Sequence, residues 1–159
     1  MAITDVSASL SITGHTSLQS AAAVTAALGL LPSKSYEFGD PHPSKSLAAR
    51  GKITSVSYWR FDQPRTIKSS EDPHGIESLV RLTELFEPHS ETLATLKTDY
   101  DIRVSMFGIS DSGQAGLVIG PDTMQRLGKL SASFWQDIYL AEELTVDDIA
   151  DWSDSQRRR

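Results

Sequence analysis

The sequence predicts an α+β domain: a mainly antiparallel sheet with its helices packed on one face. Three observations carry this. Apolar and polar residues alternate with a period of two in separate stretches, Val6 to Ile12 and Ile102 to Met106, as strands with one dry and one wet face require. Between them, Leu79, Leu82, Phe86, His89, Leu93, Leu96 and Tyr100 recur at intervals of three and four, the stripe of a helix lying on a sheet. Some of the links between the strands are also short, which favours antiparallel neighbours, because a parallel pair needs a long crossover.

In chain order, Val6, Ala8, Leu10 and Ile12 alternate with Ser7, Ser9 and Ser11, giving a first strand that Gly14-His15 ends. Thr16 or Ser17 then caps a helix whose face carries Leu18, Ala22, Thr25 or Ala26, and Gly29. From Pro32 to Lys52 the prolines, glycines and serines predict a long loop, with a short strand at Tyr36 to Phe38. Ile53 to Phe61, rich in β-branched and aromatic residues, forms the next strand and turns Trp59 or Tyr58 to the core. Gln63 to Gly75 is a loop. Pro88 divides the long helical stripe into a kinked helix or two consecutive helices, with Pro88 in the first turn of the second.

Ile102, Val104 and Met106 form the inward side of a strand, Ser110 to Gln114 a hairpin turn, and Leu117 to Ile119 the returning strand. Gly120-Pro121 opens a helix with the stripe Met124, Leu127 and Leu130, and Ser131 to Leu140 is the last strand. The expected sheet therefore joins strands near Val6, Ile53, Ile102, Leu117 and Ala132, with helices near Ala22 and Leu82 on one face. Thr145 to Trp152 reads as a short acidic helix, followed by Arg157-Arg158-Arg159. Residues 1–141 make the domain, and 142–159 make an acidic C-terminal segment with an Arg-rich tail.

With 159 residues, 39% of them hydrophobic, the chain suffices for one core without a covalent staple. It has no cysteine, which excludes disulfides, thiolate metal sites and a cysteine nucleophile. Its net charge of -6 argues against a general nucleic-acid binder and for a protein partner with a basic surface. The start carries no secretory signal pattern, and the Ala21 to Leu31 apolar run falls well short of the roughly 18 residues of a membrane span. The expectation is a cytoplasmic protein without nucleic-acid or membrane partners. Seven basic residues against three acidic ones between Lys34 and Lys68 form a basic zone that reads first as a solvated loop.

Leu10-Ser11-Ile12-Thr13-Gly14-His15, Leu28-Gly29-Leu30, Tyr58-Trp59, Phe86-Glu87-Pro88, Tyr100-Asp101-Ile102, Ser112-Gly113-Gln114-Ala115-Gly116 and Ile119-Gly120-Pro121 stand in that order along the chain. In this order the sequence resembles a small bacterial family, domain of unknown function forty-two seventy-nine. The resemblance implies a compact α+β domain and supplies no activity, cofactor or catalytic residue.

No reaction signature is present. The four histidines lack the spacing that would set two on one surface, and neither a phosphate-loop pattern nor a serine elbow occurs. No cofactor, metal or catalytic residue is assigned. The expected function is a non-catalytic protein-binding module of the inhibitor or immunity type. The alternative is a small-ligand or metal-dependent sensor or enzyme built on Asp40 and His42, which Pro41 and Pro43 hold in a stiff loop. The binding candidates are Arg103, Phe107, Trp135, Asp137 and Tyr139, which the alternation turns away from the helices. They would form a face for protein docking or homodimer formation, unless the Lys34 to Lys52 loop or the Thr145 to Trp152 segment folds over them.

Overall fold

The computed structural model describes residues 3–67, 72, 74–110 and 117–140. Its strands are β1 (Ile3–Gly14), β2 (Lys34–Tyr36), β3 (Ser57–Asp62), β4 (Thr66–Ile67), β5 (Asp101–Ser110) and β6 (Ser133–Leu140). The helices are α1 (Ala21–Leu28), α2 (Lys45–Ala48), α3 (Glu77–Phe86), α4 (Ser90–Leu96) and α5 (Pro121–Lys129). The sheet runs β2-β3-β1-β5-β6, with β4 paired to the start of β1. Every pairing is antiparallel except β5 with β6. This is the α+β architecture the alternation predicts.

β1 is the axis of the sheet, and its two sides part by chemistry. Val6, Ala8, Leu10 and Ile12 are buried beneath α1 and α3, where they meet Trp59, Leu79, Leu82, Phe86, Ile102, Val104 and Met106. Trp59, fully buried, meets Phe86 edge-on and donates its indole N–H to Thr25 at 3.0 Å, so the largest core ring keeps a polar partner. Phe86 ends α3, and the turn Glu87–His89 carries Pro88 before α4 begins at Ser90. The proline thus splits the stripe into two helices, and His89 is half-buried beside the Phe86 ring.

The N-terminus of α1 is held from two directions. Ser20 accepts from Ala23 N at 3.0 Å, while the Glu37 carboxylate accepts from Ala21 N and Ala22 N, both at 2.9 Å. The cap therefore lies at Ser20 and not at Thr16 or Ser17, because Gln19 Oε1 accepts from His15 N and Thr16 N and keeps those residues in a turn. The buried face moves accordingly to Ala21, Val24 and Leu28, leaving Leu18 exposed. Gly14 permits this corner: a Cβ there would sit 2.5 Å from Gln19 Cβ and 2.6 Å from Ser57 Oγ.

Other expectations shift in place. The short strand is Lys34–Tyr36, the next begins at Ser57, and Ile53 makes only an isolated bridge to Pro41 and is exposed. The loop after Gln63 contains β4, and Asp72 caps α3 by accepting from Ile76 N and Glu77 N. On α5 the buried positions are Thr123 and the partly covered Leu127, followed by Leu130, whereas Met124 is exposed. Arg126 and Lys129 tie α5 to Glu87 of the preceding layer. The Lys129 hydrogen bond, with further help from Arg126, holds the Glu87 carboxyl below its usual range.

The main topological correction concerns the end of the sheet. Leu117 to Gly120 form no strand, and the expected hairpin turn at Ser110 to Gln114 falls mostly outside the described residues. The chain leaves β5, passes through α5 and returns as β6 parallel to β5. β1 already occupies one edge of β5, and the long connection containing α5 supplies the crossover that parallel pairing on the other edge requires. The Thr145 to Trp152 helix and the Arg-rich tail lie outside the described residues.

Candidate functional site

The face of the sheet away from the helices carries the candidate site, and strand register decides what stands beside what. One row across five strands reads Lys34, Arg60, Ser11, Arg103, Ser133. The row on one side reads Tyr36, Tyr58, Thr13, Asp101, and the row on the other Asp62, Ser9, Ser105, Trp135. Further along β5 and β6, Phe107 faces Asp137 and Ile109 faces Tyr139.

The centre of this face is concave. A cavity of about 560 Å³ has the Ser9, Ser11 and Thr13 side of β1 as its floor, with Tyr58 and Arg60 on one wall and Arg103 on the other. Tyr36 and Tyr58 stack with centroids 5.2 Å apart and planes 18° from parallel. Burial, and secondarily Tyr58, push the Tyr36 phenol up to about 12, so it stays a neutral hydroxyl at neutral pH. Burial works against the Arg60 charge, yet Tyr58 and the Asp62 carboxylate, 2.6 Å from Nε, outweigh it and hold the proton more tightly than usual. At the rim His15 Nε2 lies 2.8 Å from Asp101 Oδ2, both side chains mostly exposed.

β6 supplies the aromatic end. The Arg103 guanidinium lies over the Trp135 ring, 5.7 Å from its centroid, and the indole N–H donates to Asp137 Oδ2 at 3.0 Å. Trp135 is nonetheless 51% exposed. Phe107 and Tyr139 pack at 5.2 Å with planes tilted by 37°. Both contacts run along the same diagonal, from a β5 residue to the β6 residue two places beyond its direct partner.

The structure therefore brings Arg103, Phe107, Trp135, Asp137 and Tyr139 together on one face, with a correction. Phe107 is buried at 6% exposure and Tyr139 is half-buried, so Phe107 supports the face from beneath and offers a partner little surface. The exposed members of the group are Trp135 and Arg103. Asp40 and His42 each bond within their own loop: Asp40 Oδ2 accepts from Glu37 N at 2.7 Å, and His42 Nδ1 accepts from Ser44 N at 3.1 Å. Both side chains serve the turns of their own loop. Among the described residues no group of three or more His, Asp or Glu side chains could hold a metal ion. No helix among them is long and apolar enough to cross a membrane.

Sequence reasoning missed Arg60, Tyr58 and the β1 hydroxyls as parts of one site. The signal was present in the alternation of Tyr58, Arg60 and Asp62 with Trp59 and Phe61, which sets the first three on the outer face.

Residues 4–141 match the family model of DUF4279, a domain of unknown function. The chain belongs to this family. The match runs from the first strand to just past the last, so both faces of the sheet fall within the DUF4279 domain. No curated protein and no solved structure matches the chain.

Proposed function

We propose that this DUF4279 domain is a non-catalytic, cytoplasmic protein-binding module of the inhibitor or immunity type, docking through the β6 side of its outer sheet face. The observation that carries the reading is Trp135, an indole half exposed to solvent yet fixed by Arg103 above it and Asp137 at its N–H. A rigid exposed indole beside an arginine loses little entropy on binding and buries a large area, the combination that concentrates energy in interface hot spots. The sequence beyond β6 adds Glu142, Glu143, Asp147, Asp148, Asp151 and Asp154 before any base, which suits a partner with a basic surface.

The test uses the full chain as bait in its native host, followed by direct binding measurements with the purified captured protein. Trp135→Ala and Arg103→Ala each weaken that complex by at least thirtyfold, a hot-spot loss of about 2 kcal/mol, while the melting temperature stays nearly unchanged. Sedimentation of the protein alone examines self-association, and a dimer dispersed by Trp135→Ala makes the partner a second copy. Undiminished binding in both variants, or a collapse of stability, overturns the reading.

A further inference from the structure

We infer that the concave centre of the outer face is a separate anion site, in which Arg60 and Arg103 hold a phosphate-bearing small molecule above Ser11. The register places the two arginines on either side of Ser11 in one cross-strand row. Adjacent strands lie about 5 Å apart, so their Cα atoms stand roughly 10 Å apart, within reach of one shared group for two arginine side chains. Two cations in one row repel unless a counter-charge lies between them, and the residue between them is a serine.

The local acids do not supply that charge at the centre. Asp62 engages Arg60 through Nε, leaving the other guanidinium N–H groups with donor capacity beyond their contact with Tyr58. Asp101 stands one row away and is bound to His15. Arg103 has no carboxylate partner among the described residues and rests on the Trp135 ring. Lys97 adds a further cation to the lining.

The floor points to a ligand independently of the charges. Ser9 is 5% exposed and lines the cavity, yet its hydroxyl has no hydrogen-bond partner among the described residues. Such a buried hydroxyl, facing the cavity, is left to bond with whatever enters it, water or a ligand oxygen. Ser11, Thr13 and Ser105 add hydroxyls around it. Two guanidinium forks with several hydroxyls present more donors than the two oxygens of a carboxylate accept, whereas the oxygens of a phosphate accept them from several directions. The stacked Tyr36 and Tyr58 form an aromatic wall suited to the ring of a sugar or base attached to that phosphate. A volume of about 560 Å³ lies within the range of small-molecule sites.

The test is calorimetry on the full chain with inorganic phosphate, ribose 5-phosphate and citrate, alongside amide chemical-shift mapping of the unsubstituted protein. Expected are saturable binding of both phosphates, tighter for ribose 5-phosphate, and shifts centred on Ser11, Arg60 and Arg103. Arg60→Gln and Arg103→Gln each weaken binding at least tenfold, and Arg81→Gln, on α3 across the sheet, leaves it unchanged. Failure of both phosphates to saturate, tighter binding of citrate, or shifts centred elsewhere overturns the inference. The mapping decides the matter even where a substituted chain does not fold. Arg60→Gln spares the Trp135 anchor and so retains partner binding, which separates the failure of this inference from that of the docking reading.

Discussion

The even-numbered and odd-numbered residues of β1 are neighbours along one chain and inhabit opposite environments. Val6, Ala8, Leu10 and Ile12 fill a dry layer under α1 and α3, while Ser9, Ser11 and Thr13 floor a polar cavity bounded by arginines and tyrosines. The inner side gains stability from area removed from water, which depends little on which apolar residue stands where. The outer side depends on placement, since a hydroxyl or guanidinium contributes only where a partner meets it. One strand thus carries the fold on one side and the candidate chemistry on the other.

Breaking the inner side has the largest effect. Trp59→Ala removes a fully buried ring together with its contacts to Phe86 and Thr25. Its expected cost is about 3–5 kcal/mol, a fall of roughly 6–20 °C in melting temperature followed by circular dichroism. A cost below about 1 kcal/mol would show that the two faces are energetically alike. Gly14→Ala strikes the corner where β1 turns into the α1 layer. The new Cβ meets Gln19 Cβ and Ser57 Oγ well inside contact distance, and overpacking of this kind costs about 1–3 kcal/mol in chemical unfolding.

The outer side is reached more gently by pH. The folded state holds the Tyr36 proton up to about 12, whereas an unfolded chain releases it near 10, so this stabilising contribution is complete below pH 10 and is lost as pH rises toward 12. Absorbance titration of native and urea-unfolded protein checks this: of the four tyrosines, Tyr36 and also Tyr100, whose phenol burial likewise pushes up, should ionise late only in the native state. The smallest effect is expected for Ser9→Ala, because that hydroxyl has no partner among the described residues to lose. The change in unfolding free energy should stay within about 0.5 kcal/mol. A loss of 2 kcal/mol would mean that the hydroxyl is bound within the fold, and the contrast between the faces would narrow.

Much of this contrast is legible in the residues themselves. Val6 to Ile12 and Ile102 to Met106 announce strands and name the buried side, because a period of two leaves only two faces to choose between. The stripe from Leu79 to Tyr100 and its interruption at Pro88 mark two helices, because proline cannot continue the hydrogen-bond ladder of the first. Trp135 and Arg103 are legible as outward residues for the same reason as Ser9 and Ser11. The α1 face is not legible: Gln19 binds back to His15 and Thr16, and Glu37, sixteen residues beyond Ala21, supplies the helix with its carboxylate cap. Met124 fits a helical stripe as well as Thr123 does, and only the packing of α5 selects between them.

The sequence by itself determined the α+β class, the inward side of β1 and of the first half of β5, and the division of the helical layer, since these follow from local periodicity and backbone chemistry. Tertiary structure decided the parallel return of β6, the placing of Arg60 opposite Ser11 and of Arg103 on its other side, and the burial of Phe107. Alternation assigns a residue to a face but says nothing of its neighbour across the sheet, and a site made from four strands exists only once their order and register are set.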